Sequence, residues 1–346
     1  MPIFMDRHDV SGSVTAEQVA LLHQEDLKVQ DRFGCRGLTY WFDEKRKTAF
    51  CLVEAPDRQS LQQMHQFAHG EVPNRIIEVA PAVVESFLGR IEDPKKEGNS
   101  ALNIIKDPGF RTLMVVSLNL PVLPKNKARP DTASPFRKYR DGMNKTLKTY
   151  RGKIVKTSDH RQLISFSSAT QAIRAAEDIR SSFRKLINQK IEWELKIGLD
   201  AGDAVTNKPS LFEDTVRLAE RMCETVRGQI IVSAEVRDLY KHENKSRFIS
   251  GRHIIPLSRA DERFLTGLMN FMDSSWTNVN LKVGDFAKPT GFSKSRLYRK
   301  MVQLTGKSLH AFIKEYRLKK SIELLAENAG NISEVAFGTG FSSPSY

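Results

Sequence analysis

The first 80 residues of this chain contain four of its eight histidines, and imidazole is a preferred ligand of transition-metal ions. The four are His8, His23, His65 and His69. His65 and His69 are four positions apart in a predicted helix, so their rings lie on one face and can share one ion. Cys51 and Glu54, on a predicted strand, are further candidate ligands. These residue types in this pattern are compatible with a transition-metal site.

The same histidines also fit a structural role, and the residues alone leave both interpretations open. His69 falls in the last turn of its predicted helix, where the helix dipole favours a partly charged imidazole. His23 shares a helix face with Val19 and Leu27, as a histidine of the hydrophobic core would.

A second set of chemically active residues lies in the stretch 281–320, which has 11 Lys and Arg against 2 Asp and Glu. The whole chain of 346 residues has a net charge of +13, so an anionic partner is expected. Five side chains project away from the apolar side of a short predicted helix: Lys294, Ser295, Arg296, Arg299 and Lys300. Guanidinium groups pair with guanine edges and lysines with phosphates, so this helix is predicted to contact double-stranded DNA.

Turn and cap residues position this basic helix, and they disfavour the alternative of a merely solvated charged face. Gly291 allows the positive φ of a sharp turn after a preceding helix. Ser293 is a good N-cap, and Leu297 and Met301, four apart, form the buried side. The stretch therefore predicts a helix-turn-helix unit.

Residues 1–80 read as strand, helix, strand, strand, helix, strand. Thr15 and Gln18 form a capping box at the first helix, and Gly70 closes the second. A charged turn, "DEKRK", joins two strands as a hairpin. This order predicts a small ferredoxin-like sandwich.

Three blocks of this segment, "MDRHDV", "FGCRGLTYWFDEKRKTAFCLVEAPD" and "MHQFAHG", resemble a family of small ferredoxin-like proteins, some of which bind nickel as dimers. The resemblance covers nearly all of residues 1–80. It implies a sensory site for a transition metal, with nickel the first to test, and it raises the expectation of a homodimer.

The C-terminal segment 261–346 resembles the DNA-binding domain of AraC-type regulators, in "DFAKPTGFSKSRLYRKMVQLTG" and in "NISEVAFGTGFSSPSY". That family has two helix-turn-helix units joined by a long helix, here expected at 308–327. The resemblance implies that Ser343 and Ser345 begin a second recognition helix, of which only the first turn is present. Pro289 falls within the leading helix of the first unit, where it removes one backbone hydrogen bond.

The middle segment, 109–250, alternates strands and helices, with a clear period of two from Ile191 to Leu199. Its blocks "RGKIVKTSDHRQLISF", "ELKIGLDAGDAV" and "VRLAERMCETVRGQIIVSAEVRDLY" resemble class III nucleotide cyclases. The resemblance implies two metal-binding aspartates, but the chain has Ser117 and Asn119 at the first position. Asp159 is one residue out of step at the second.

An arginine replaces the family's transition-state asparagine at position 217, whereas Arg221 is retained. The resemblance therefore implies the cyclase fold without catalysis, and Arg221 as an anion or nucleotide contact.

Length and pattern predict a multidomain α+β protein that begins with a ferredoxin-like sandwich (1–80) and a linker (81–108). The resemblances imply that a cyclase-homology α/β domain (109–250), a linker (251–260) and an all-α double helix-turn-helix domain with an incomplete second unit (261–346) follow. Three cysteines make no even-numbered framework, and no apolar run is long enough to cross a bilayer. A cytoplasmic protein is expected, with reduced thiols and no membrane contact.

These observations predict a sequence-specific transcription regulator whose N-terminal modules sense a ligand or form a dimer, with a transition metal such as nickel, or a nucleotide, as the ligand. Two alternatives stay open. In the first alternative, the chain is a divergent nucleotide cyclase with a regulatory tail. In the second, it is a regulatory fragment that does not bind DNA.

Overall fold

A computed structural model of the chain describes residues 1–95, 102–119, 133–158, 161–187, 193–245 and 253–344. Its described elements form two sheets and a C-terminal group of helices. The predicted multidomain α+β class is confirmed.

The N-terminal sheet is antiparallel, with its strands in the order β2-β3-β1-β4. Its strands are β1 (Ile3–Asp9), β2 (Arg36–Asp43), β3 (Thr48–Glu54) and β4 (Arg75–Glu78). Helices α1 (Ala16–Val29) and α2 (Arg58–Ala68) complete the predicted succession of elements. The capping box of Thr15 and Gln18 is present at the start of α1.

Strand β1 has two chemically different faces because successive side chains of a strand point to opposite sides. Phe4 and, further on, Asp6 and His8 lie towards α1 and α2, and Phe4 belongs to the core under those helices. Met5 lies in a different core, which the N-terminal sheet shares with the middle domain. Arg7 reaches the middle domain as well, where its Nη1 is 3.1 Å from Asp203 Oδ2.

The predicted linker 81–108 is wrong in its first part. Residues 81–88 form helix α3 (Pro81–Leu88), which opens with a proline at its first position and ends at Gly89 in the left-handed conformation. Its buried Phe87 packs against Phe212 with 5.0 Å between ring centroids. Three apolar residues in the segment make this helix a bridge between the two sheets.

The middle sheet has six strands among the described residues, in the order β10-β9-β8-β5-β7-β6. They are β5 (Phe110–Asn119), β6 (Lys153–Thr157), β7 (Arg161–Phe166), β8 (Glu194–Asp203), β9 (Ile230–Val232) and β10 (Ile254–Pro256). Four helices flank them: α4 (Ala133–Thr149), α5 (Ala169–Leu186), α6 (Glu213–Thr225) and α7 (Ala234–Glu243). The central strand β5 packs Met114 and Val116 with α4 and α5 on one face, and Val115 with α6 on the other.

The second predicted linker, 251–260, is also corrected. Strand β10 pairs in parallel with β9, and Leu257 beyond it is buried. Helix α8 (Arg259–Ser275) then starts at a capping box of Ser258 and Asp261. The C-terminal helices therefore follow the middle sheet without a free connector.

The C-terminal helices after α8 are α9 (Ala287–Thr290), α10 (Lys294–Thr305), α11 (Leu309–Ala326) and α12 (Ile332–Gly338). A 3₁₀ turn, Val283–Phe286, precedes α9, so the helix that contains Pro289 is only four residues long. Gly291 has the predicted positive φ, at 70°. Ser293 is the N-cap of α10 but makes no side-chain capping bond. The apolar core of these helices includes Met222 and Val226 of the middle domain.

Within the part of the chain that the structure describes, every helix is too short or too polar to cross a membrane. The three cysteines are buried and unpaired.

Replacing Phe87 by Ala should lower the free energy of unfolding by about 3 to 5 kcal/mol, because its ring fills a core shared by two domains. The matched control is Val83→Ala on the same helix, where the side chain is 42% exposed and little loss is expected. Chemical denaturation of the full chain measures both. Equal stability of the two variants would contradict the assignment of α3 to the shared core.

Candidate metal centre and nucleic-acid interface

Three elements of the N-terminal domain bring imidazole and carboxylate groups together in the core. Strand β1 provides Asp6 and His8, helix α1 provides Asp26, and helix α2 provides His65, with His69 as its C-cap residue. Asp6 and His65 are almost completely buried, at 0% and 1% exposure. Charged groups are seldom buried unless they are paired or bind a metal, so this cluster is either an ion-pair network or a metal centre.

His65 is the central residue of the cluster because both of its ring nitrogens meet a carboxylate. Its Nε2 is 3.0 Å from Asp6 Oδ2, and its Nδ1 is 3.0 Å from Asp26 Oδ1. His69 Nδ1 accepts a hydrogen bond from the Glu71 backbone N–H, while its Nε2 lies 3.2 Å from Asp26 Oδ1.

The carboxylates stabilise the charged form of His65. Burial on its own would lower the pKa of the imidazole, but hydrogen bonds to Asp26 and Asp6, together with their charges, raise that pKa to about 10. For Asp6 burial acts in the opposite direction and would raise the pKa of the carboxyl group. The charge of His8 and the hydrogen bond from His65 lower that pKa well below its usual value. A metal ion that took His65 as a ligand would have to displace this proton.

A second group of donors lies on the β1 side of the cluster: Asp6, His8 and Cys51, whose ligand atoms lie within 4.8 Å of one another. His8 is 8% exposed, and its Nε2 is 3.2 Å from Asp6 Oδ1 but makes no hydrogen bond. Burial raises the pKa of the Cys51 thiol well above its usual value. A cavity of about 200 Å³ is lined by His8, Cys51, His65 and Asp26.

The chemistry of these donors fits a transition-metal ion of intermediate hardness, such as nickel. Imidazole suits Ni, Cu and Zn, and soft thiolates add affinity for such ions, whereas Mg²⁺ and Ca²⁺ prefer oxygen ligands alone. The buried His8 Nε2 makes no hydrogen bond and lies 3.2 Å from the carboxylate of Asp6, so it could ligate an ion there in its neutral form.

Two of the predicted ligands lie elsewhere. His23 is not part of either donor group, because its Nε2 is 3.3 Å from Asp93 and its ring is 5.0 Å from that of Tyr40. Glu54 pairs with Arg36 at 3.0 Å, at the edge of the sheet. His23 nevertheless lines the same cavity as His8 and His65, and its buried Nε2 makes no hydrogen bond, so its role as a ligand stays a prediction.

Asp6 and Asp26 are the site residues that reasoning from the sequence missed. The alternation of Asp6 and His8 in "MDRHDV" would have placed both side chains on one face of β1. Asp26 gave no comparable signal, since a charged residue in an amphipathic helix is normally expected on the solvated face.

The predicted DNA contacts divide between two environments on α10. Lys294, Ser295, Arg296 and Arg299 are exposed, whereas Leu297 and Met301 on the other side are fully buried. The guanidinium of Arg296 lies over the Phe292 ring, 4.6 Å from its centroid. The apolar and basic sides of the helix are thus separated.

Lys300 is a correction, because its ammonium group forms an ion pair with Asp261 of α8 instead of facing solvent. This ion pair connects α10 to α8, so Lys300 helps to fix the position of α10. Ser343 is half-buried after the turn at Gly340, and Ser345 lies outside the described residues.

A cavity of about 750 Å³ lies between the middle domain and helices α8 and α11, and Arg221 is one of its lining residues. Arg221 is 6% exposed and donates hydrogen bonds to Asn270 and Asp273 of α8, at 2.7 and 3.1 Å. Ser117 and Asn119, at the end of β5, also line the cavity, and Asp159 lies outside the described residues. Nη2 of Arg221 therefore binds groups of the protein itself, and an anion contact of this side chain stays a prediction.

Family comparisons agree with the predictions for both ends of the chain. Residues 4–79 match the family described as nickel responsive protein SCO4226-like, and residues 286–346 match a helix-turn-helix domain. The chain thus carries an SCO4226-like domain and an AraC-type helix-turn-helix domain, as the sequence resemblances implied.

Solved structures and one curated protein add partial similarities. SCO4226 from Streptomyces coelicolor A3(2) is 32% identical over 22% of this chain and 94% of its own, with a TM-score of 0.21. The guanylate cyclase domain of RhGC from Catenaria anguillulae, in complex with GTP, is 21% identical over 38% of this chain and 82% of its own, with a TM-score of 0.32. Histidine kinase P4 of Formosa agariphila is 32% identical over 106 residues, which are 30% of this chain and 8% of that kinase.

Replacing His69 by Gln should weaken nickel binding by more than about tenfold, since even outer partners of metal ligands contribute that much. Calorimetric titration of the full, untagged and metal-stripped chain with nickel measures the affinity. His23→Gln is the control, because His23 lies outside both donor groups. Unchanged affinity in His69→Gln, or a larger loss in His23→Gln, would contradict this grouping.

Proposed function

We propose that this protein is a transcription regulator that reads DNA with helix α10 and binds a transition metal, nickel in the first place, in its N-terminal domain. The observation that carries the proposal is the exposure of Arg296 and Arg299 on the side of α10 opposite its buried stripe. A basic helix that follows a tight turn and packs by its other face is the usual reading element of helix-turn-helix proteins.

Electrostatics supports DNA as the partner. The stretch 281–320 has 11 basic residues against 2 acidic ones, while residues 1–80 have 9 against 12. Residues 111–250 are also basic, with 27 Lys and Arg against 16 Asp and Glu, but positive charge is densest at the helix-turn-helix end. That density matches a phosphate-facing role, because phosphate neutralisation supplies most of the affinity in such complexes. Lys294 and Arg296 at the start of α10 are suited to phosphates, and Arg299 to a base edge.

The residues that would hold the metal are Asp26, His65 and His69, with Asp6, His8 and Cys51 beside them. A bound divalent ion would supply a fixed positive charge between buried carboxylates that now face the His65 imidazolium. Because the donors come from β1, β3, α1 and the C-terminal end of α2, their common ligation would join these four elements of the domain.

Packing connects the metal cluster with the reading helix. On its other face β1 contributes Met5 to the core shared with the middle domain, and Arg7 contacts Asp203. At the far side, Met222 of α6 lies in one core with Leu297 of α10. The middle domain thus packs against both ends of the chain, which supports a role in transmitting a change at the metal cluster to the reading helix or in fixing their relative positions. Homodimer formation stays a prediction.

Arg299→Ala should weaken binding to the preferred DNA site by about 5- to 150-fold, the effect of losing one bidentate arginine–guanine contact. The site is obtained by selection from a random DNA pool with the full chain, and fluorescence anisotropy gives the affinities. Arg174→Ala removes the same charge from an exposed position of α5 and should leave site affinity nearly unchanged.

The two variants distinguish the loss of a specific base contact from the loss of one positive charge. Equal losses in Arg299→Ala and Arg174→Ala would show that α10 is not the reader. Absence of any enriched sequence from the selection, with and without nickel, would overturn the proposal of a DNA-binding regulator.

A further inference from the structure

The outermost line of α10 includes an apolar residue. An α-helix turns by about 100° per residue, which places Ser295, Arg299 and Val302 within about 50° of the direction opposite the buried stripe. That stripe consists of Leu297, Met301 and Leu304, which are 0%, 0% and 6% exposed. Arg299 lies nearest to that direction and Val302 lies beside it, next to Tyr298, which is 58% exposed. DNA that meets this face therefore meets a valine beside an arginine.

Val302 is 37% exposed, although it belongs to a helix whose other outward positions are mostly polar. A β-branched residue is a weaker helix former than the Lys, Gln or Arg residues found elsewhere on α10, so helix stability does not favour it here. Single exposed apolar residues are common, and exposure by itself indicates nothing. Its position beside Arg299 is what matters, because side chains next to the centre of a DNA-reading face can touch base edges.

The chemistry of base edges offers one partner for an apolar side chain in the major groove. Thymine presents its 5-methyl group there, whereas guanine presents two acceptors that match an arginine. Arg299 and Val302 are three positions apart, a rise of about 4.5 Å along the helix axis, which lies between one and two base-pair steps of about 3.4 Å each. The two side chains therefore suit neighbouring base pairs.

We propose that Val302 reads a thymine by contact with its 5-methyl group, next to a guanine that Arg299 reads. This inference rests on the proposed function and adds a base-specific role for a residue that carries no charge. It also gives the residues of α10 different roles. Lys294 and Arg296 lie away from the direction opposite the buried stripe, and Lys300 is paired with Asp261. The base sequence is then read by Arg299 and Val302.

The test replaces each thymine of the selected site, one at a time, by deoxyuridine, which lacks the methyl group. With the wild-type chain, one substitution next to a guanine should weaken binding about fourfold, as expected for the loss of one buried methyl-sized group. Val302→Ala should bind the thymine and deoxyuridine forms of that site equally well. Fluorescence anisotropy of the full chain measures each affinity.

The matched control is Val83→Ala, which changes a similarly exposed helical valine far along the chain and should keep the fourfold preference. Thermal unfolding of Val302→Ala, with a midpoint equal to that of the wild type, shows that the variant is folded. If the wild type binds its site but tolerates deoxyuridine at every thymine, or if Val302→Ala keeps the preference, the role of Val302 is overturned. Failure of the wild type to select any DNA would instead overturn the proposed function.

Discussion

The alternation of side chains along strand β1 is the constraint on which the rest of the structure depends. It sends Asp6 and His8 towards the helices of the N-terminal domain, and Met5 and Arg7 towards the middle domain. A shift in register by one residue would exchange the two sets, since the side-chain period of a strand is two. Buried carboxylates would then face a hydrophobic core without a partner, which is strongly unfavourable.

The cluster on the inner face of β1 is stable only as a unit. Asp6 and Asp26 are buried and ionised because the His65 imidazole lies between them, and His65 stays charged because both carboxylates are there. Removal of one member leaves an uncompensated charge in the core. The same property makes the cluster responsive to a cation, since a metal ion and the His65 proton compete for the same carboxylates and ring nitrogens.

The middle domain joins the two ends of the chain through buried surfaces on opposite sides. Helix α3 and Phe212 pack against the N-terminal sheet, while α6 packs against α8 through Met222. Polar contacts reinforce the second junction: Arg221 binds Asn270 and Asp273, and Tyr316 of α11 donates to the same aspartate at 2.8 Å. A residue that resembles a catalytic arginine in the sequence therefore stabilises a domain junction in the fold.

Local patterns in the sequence determined most of the elements and the chemistry of the two ends. The capping box at Thr15, the glycine turn at position 291 and the i, i+4 pair of His65 and His69 are short-range features, and the structure has them. Only the tertiary structure decided which residues meet. It placed Asp26 beside His65, left His23 outside the two donor groups, and paired Lys300 with Asp261, because these contacts join positions far apart in the chain. It also made helices and strands of the two predicted linkers, since polar segments with a few well-spaced apolar residues, such as Phe87 and Leu257, become ordered only when another domain covers them.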